Sequence, residues 1–153
     1  MAQSHPVPRS PRQPFPSPLP PPSFPIAFFD GECLLCNGFV DWLMRLDRRQ
    51  RIRLAPLQGT TAREYLPPLP PDPEQWSIFY LNERGIYSQS DAVLQICRTL
   101  GGLWGGFAII GGVVPRGLRN GIYRWVARNR YRWFGKRDTC RMPTAADRDR
   151  FLP

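Results

Sequence analysis

The sequence predicts an α/β fold: a mixed sheet flanked by helices, with extra helices at the C-terminus. Three observations predict it. A nearly continuous apolar run at residues 23–29 (SFPIAFF) reads as a strand buried on both faces. A helix-periodic segment follows it directly, and further along a strand pair joined by a tight turn precedes another helix.

After the first strand, Asp30-Gly31-Glu32 reads as a turn. Over residues 33–47 the apolar positions Cys36, Phe39, Val40, Leu43 and Leu46 recur at helical spacing. Residues 51–54 (RIRL) alternate as a half-exposed strand does. Residues 56–74 are proline-rich and read as irregular, with a helical turn around 61–65. Residues 76–81 form the next strand, residues 82–85 the turn, and residues 86–88 the returning strand. Ser90 is expected to cap the following helix, with Asp91 at the positive end of its dipole. That helix buries Val93, Leu94, Cys97 and Leu100 and stops at Gly101-Gly102. A last pattern over 116–128 places Leu118, Ile122, Trp125 and Val126 on one face and arginines on the other. A βαβ unit followed by a hairpin and a helix is the order of a thioredoxin-like domain.

Not all of the 153 residues belong to that domain. Ten of the first 25 are proline, a composition with few amide donors and little apolar surface. Residues 1–23 are therefore expected to be a disordered tail and residues 24–153 the folded unit, of a size for one modest core. The tail lacks the apolar run of a secretory signal. The apolar stretch at 101–114 is broken by three glycine pairs and falls short of the ~20 residues a membrane span needs. A cytoplasmic protein is expected, and there a close cysteine pair is catalytic or metal-binding rather than a staple. The formal net charge of +9 is uneven, because residues 115–141 hold nine basic residues against Asp138. Such a stretch can steer acidic proteins, nucleic acid or membrane headgroups.

Cys33 and Cys36 stand two residues apart where a strand turns into a helix. Free amides and the helix dipole stabilise an anion at that point, lowering the thiol pKa and raising the attacking thiolate fraction. The second sulfur lies one turn later, within bonding reach of the first. Cys33 is thus expected to be the nucleophile and Cys36 the resolving thiol. Asp30 is a candidate proton acceptor for Cys36, or else a residue that shapes the turn with Gly31. Half of a zinc knuckle has the same spacing, but the further ligands would have to come from His5, Cys97 and Cys140. No metal site is expected. Cys97, on an apolar helix face, reads as a small hydrophobe.

The segment Asp30-Gly31-Glu32-Cys33-Leu34-Leu35-Cys36 resembles the Asp-x-x-Cys-x-x-Cys signature of the DCC family of thiol-disulfide oxidoreductases. Leu54-Ala55-Pro56-Leu57-Gln58, Ser90-Asp91-Ala92, the run from Ala127 to Gly135 and Asp138-Thr139-Cys140 resemble the same family in the same order. The resemblance spans residues 26–152. It implies a thioredoxin-fold relative working by dithiol–disulfide exchange on a thiol- or disulfide-bearing protein or a low-molecular-weight thiol, with no built-in cofactor. It names no physiological substrate. In one respect the chain departs from thioredoxins proper, which place a cis-proline just before the third strand. Here Glu74-Gln75-Trp76-Ser77 lead into it, so a cradle for an added substrate strand does not carry over.

Two features stay open at this level. Arg128, Arg130 and Trp133 could clamp an anionic or acidic partner. The favoured reading is that Trp125, Tyr131, Trp133 and Phe134 pack the last helix onto the sheet beneath snorkelling arginines. Nucleic acid is not expected, since no binding motif accompanies the charge. A basic amphipathic helix on a membrane is a further reading of the pattern. Cys140 could be a third redox thiol or a partly buried bystander. Outside catalysis, a metal-binding module or a non-catalytic adaptor would be the competing functions.

Overall fold

The apolar run becomes β1 (Ile26–Phe29), and all four of its residues are buried. Their side chains alternate between two cores. Ala27 and Phe29 face one and Ile26 and Phe28 the other, in this computed structural model, which describes Pro20 and residues 22–153. The tail expected over residues 1–23 therefore lies almost entirely outside the described residues.

After β1 come α1 (Leu34–Leu46), β2 (Arg53–Pro56), α2 (Thr60–Tyr65), a 3-10 turn at Pro73–Gln75, β3 (Phe79–Asn82) and β4 (Gly85–Ser88). Three helices close the chain: α3 (Gln89–Leu100), α4 (Gly102–Val113) and α5 (Arg116–Phe134). The sheet order is β2-β1-β3-β4. β1 pairs parallel with β2 and antiparallel with β3, which pairs antiparallel with β4. The result is an α/β fold with a mixed four-stranded sheet flanked by five helices, consistent with a thioredoxin-like build. One core lies between the sheet and α1 and α3, through Val40, Leu43, Ala92 and Ile96. The other lies under α2 and the proline-rich segment, through Ala62, Leu66 and Leu81 with Leu69 and Trp76 against them.

Several boundaries differ from the sequence expectation, each for a local reason. β2 starts at Arg53 because the amides of Arg51 and Ile52 are held by the Asp47 carboxylate, at 3.1 and 2.9 Å. β3 starts at Phe79 because the Ile78 N–H donates to the Tyr123 hydroxyl and the Trp76 carbonyl accepts from Arg130. Ser88, not Ser90, occupies the N-cap of α3. The Ser90 hydroxyl instead donates to Asn120 on α5, and Asp91 binds Arg119 and Arg116 at 3.2 and 2.7 Å. The inward face of α3 is Ala92, Ile96 and Cys97, while Val93 and Leu94 line a cavity. On α1, Leu46 is exposed rather than buried.

α4 was not expected from the sequence, since its glycines disfavour a helix. It forms because Gly101 and Gly102, with φ of 71° and 55°, turn the chain back along α3. There Trp104 meets Trp42 edge-on at 4.7 Å, and Gly111 leaves no room for a Cβ beside Leu94. α5 continues past Arg128 to Phe134, and its Trp125, Trp133 and Phe134 are exposed instead of packed on the sheet.

The C-terminus closes the edge of the sheet. Phe151 bridges Leu54, the Leu152 N–H donates to the Leu54 carbonyl at 2.8 Å, and the Thr61 N–H donates to Pro153 at 2.9 Å. Arg150, buried, reaches the buried Asp47 at 3.0 Å. Removing one member of such a pair strands the other charge. Asp47→Ala is expected to lose about 3–5 kcal/mol in urea unfolding, and the double variant Asp47→Leu/Arg150→Leu distinctly less. Equal losses would show that the backbone amides, not the ion pair, carry the cost.

Candidate active site

The site begins where β1 ends. Asp30, Gly31 and Glu32 carry the chain from the sheet to Cys33, which is the N-cap of α1 with an extended backbone. From that position the Cys33 Sγ accepts the Cys36 N–H at 3.4 Å. Asn37, a buried polar residue on an otherwise apolar helix face, locks the turn. Its side-chain amide donates to the carbonyls of Gly31 and Cys33 at 2.9 and 2.8 Å.

The two thiols are electrostatically unlike. Cys33 is lowered from 9.0 to about 7, chiefly because Cys36 donates its thiol proton to it, helped by the Cys36 amide and the Arg130 charge against burial and Asp30. Cys36 is pushed strongly upward by the same bond, by burial and by the neighbouring thiolate. Of the two, Cys33 is thus the thiol that ionises more readily and Cys36 the one that holds its proton. None of the four cysteines forms a disulfide here.

Asp30 is 2% exposed, and donors meet both of its oxygens. Oδ1 accepts from the Glu32 N–H at 3.0 Å and from Gln58 Nε2 at 2.8 Å. Oδ2 accepts from the Tyr131 hydroxyl and from Arg130 Nη2, the latter at 3.3 Å. Gln58 also accepts the Gly31 N–H at 3.2 Å, tying the loop after β2 to the turn. Arg130 is not part of a surface clamp with Arg128 and Trp133: it is 3% exposed, whereas those two face outward. Besides Asp30, Arg130 donates to the carbonyls of Pro73 and Trp76 at 2.6 and 2.8 Å, and its guanidinium stacks on Tyr131 at 4.8 Å.

One side of the dithiol is covered. Cys33 is fully buried under the segment after α5: Lys136 bridges it, the Leu34 N–H donates to Gly135 at 3.3 Å, and Arg137 and Arg141 donate to Glu32 and Gly31. Cys140 lies in this strap with its sulfur against Gly31, where a Cβ would come within 2.2 Å of it. Burial raises the Cys140 pKa. On the other side, Cys36, Asp30 and Arg130 open onto a cavity of about 500 Å³, walled by apolar side chains of α3 and α5 such as Val93, Leu94, Ile122 and Val126. Cys97 sits apart on α3, buried, with its pKa raised by that burial. Among the described residues no three His, Cys, Asp or Glu side chains gather as a metal ion would need, and His5 lies outside them.

Residues 27–136 match the family model of the DCC1-like thiol-disulfide oxidoreductases. The chain belongs to that family. It is 34% identical over 129 residues to the uncharacterized protein YuxK of Bacillus subtilis (strain 168), covering 84% of this chain and 93% of that protein. It is 35% identical over 120 residues to the chloroplastic DCC family protein At1g52590 of Arabidopsis thaliana, covering 77% and 69%. No solved structure matches. Within this family member the sequence had marked Asp30, Cys33 and Cys36, and the fold gathers all three. It had assigned no role to Gln58 or Asn37, and it took Tyr131 for a packing residue. The signals were there: Gln58 ends a segment that resembles the family, and Asn37 breaks an apolar helix face.

The lowered Cys33 pKa has a measurable consequence. Carboxymethylation of Cys33 should rise with pH around a midpoint near 7, not near the 9.0 of an ordinary thiol. Arg130→Met removes a charge that lowers this pKa and leaves Asp30, which raises it, uncompensated. The midpoint should therefore move upward, and an unchanged midpoint would separate Arg130 from the thiolate.

Proposed function

We propose that this family member is a thiol-disulfide oxidoreductase that cycles a Cys33–Cys36 dithiol and disulfide against a protein or a low-molecular-weight thiol. The observation that carries the proposal is the asymmetric placement of the pair: Cys33 caps the N-terminus of α1 with its Sγ accepting the Cys36 N–H at 3.4 Å, which favours ionisation there, whereas burial and the bond to Cys33 disfavour it at Cys36.

In the reducing direction, the Cys33 thiolate attacks one sulfur of a substrate disulfide. A Cys33–substrate disulfide forms, and the other substrate sulfur leaves as a thiolate and takes a proton from solvent. The Cys36 proton passes to Asp30, which lines the same cavity wall, and the Cys36 thiolate attacks the Cys33 sulfur. The substrate leaves with both sulfurs reduced, and the two electrons come from the Cys33–Cys36 pair, now a disulfide. Another thiol system restores the dithiol, and no cofactor is invoked. Because Cys33 is covered, the first attack requires the 135–141 strap to shift from the turn. A metal module would need ligands that the described residues do not bring together.

The test is mixed-disulfide trapping. Cys36→Ser should accumulate an adduct on Cys33 with an oxidised model peptide, Cys33→Ser should form none, and Asp30→Asn should slow release of the adduct while leaving its formation intact. The wild-type pair should also oxidise reversibly, with two electrons, across a glutathione series. An adduct carried by Cys36, or a pair that stays reduced throughout, would overturn the proposal.

A further inference from the structure

Ten of the thirteen large apolar side chains that are exposed among the described residues lie on α4 and α5. On α4, Leu103, Phe107, Ile109, Ile110 and Val113 are exposed, the last at 82%. At 100° per residue these five cover an arc of roughly 160°. On α5, Leu118, Ile122 and Trp125 form an exposed stripe that runs on to Trp133, whose ring lies 4.9 Å from that of Trp125. Ile122 also lines the cavity that reaches Cys36, so the cavity opens onto this face. A monomeric soluble surface seldom exposes apolar residues so densely without a use for them.

Charge distinguishes what covers the face. From Gly101 to Arg137 the sequence has no acidic residue and eight basic ones. Arg124, Arg128 and Arg132, at i, i+4 and i+8, are exposed along one edge of the α5 stripe. None of the three has a carboxylate partner among the described residues. A second copy of this chain would bring the same positive charge to the interface and be repelled. The N-terminal 25 residues are equally without acids, so the chain's own tail offers no complement. Apolar side chains bordered by arginines and interfacial tryptophans fit an anionic bilayer surface, where rings and aliphatics enter the acyl boundary and guanidinium groups meet phosphates. α4, at 12 residues or about 18 Å, is too short to span, and no helix of the described residues is long and apolar enough to cross a membrane.

We infer that the α4–α5 face is a docking surface for anionic phospholipid, on which the protein rests with its cavity mouth toward the bilayer. The test is co-sedimentation of the full chain with vesicles of phosphatidylglycerol and phosphatidylcholine, against vesicles of phosphatidylcholine alone. Binding to the anionic vesicles should be at least about ten-fold tighter and should weaken as salt rises. Ile110→Ser/Val113→Ser, at exposed positions, should reduce it about ten-fold or more. Arg124→Gln/Arg128→Gln/Arg132→Gln should abolish the preference for anionic lipid. Cys33→Ser/Cys36→Ser should bind as the wild type does, which keeps this test independent of the redox proposal. The inference is overturned if low-salt anionic vesicles leave the protein in solution, if the serine variant binds unchanged, or if the face instead drives self-association that the serine variant abolishes.

Discussion

The buried pair of Asp30 and Arg130 joins the two ends of the chain's chemistry. Asp30 follows β1 and opens the turn to Cys33, and Arg130 lies 100 residues later on the last helix. Burying two charges costs several kcal/mol each unless hydrogen bonds match them. Here Asp30 has four donors, and Arg130 reaches the carbonyls of Pro73, Trp76 and Ala127 as well as the Tyr131 hydroxyl. The pair thus fixes α5 against the 3-10 turn and against the end of the sheet at once. The cavity follows from that placement, since its walls are the faces of α3 and α5 that this anchoring holds apart.

The same pair balances the dithiol. Arg130 favours the thiolate form of both cysteines and Asp30 opposes it, so their fields work against each other at the sulfurs. What separates the two thiols is local: the direct bond from Cys36 to Cys33, and the Cys36 amide at the start of α1. Both intervening residues are leucine and contribute no charge. The difference in acidity therefore rests on helix geometry rather than on a cationic side chain between the sulfurs. The strap at 135–141 adds a steric term, covering the thiolate side while the Cys36 side faces the cavity.

The strands, α1 and α3 were legible because their burial is periodic. β1 is apolar at every position because both of its faces meet a core, and Val40 and Leu43 recur on the inner side of α1. Cys33 and Cys36 were legible because two residues of spacing at a helix start is a local arrangement. α4 was not, since its glycines lower helix propensity and only contact with α3 and Trp42 offsets that. The outward aromatics of α5 were misplaced for the opposite reason: a stripe at helical spacing looks the same whether it meets a sheet or solvent.

The sequence by itself determined the order of the strands, of α1 and of α3, the close cysteine pair at the start of α1 and the positive charge of the C-terminal third, because each is written in neighbouring residues. Only the tertiary structure decided the partners of Asp30, because Gln58, Arg130 and Tyr131 approach it across 28, 100 and 101 positions. No spacing rule reaches so far. It likewise decided that Arg130 points inward while Arg124, Arg128 and Arg132 point out. An arginine's role depends on whether a buried carboxylate waits for it, and that carboxylate comes from the other end of the chain.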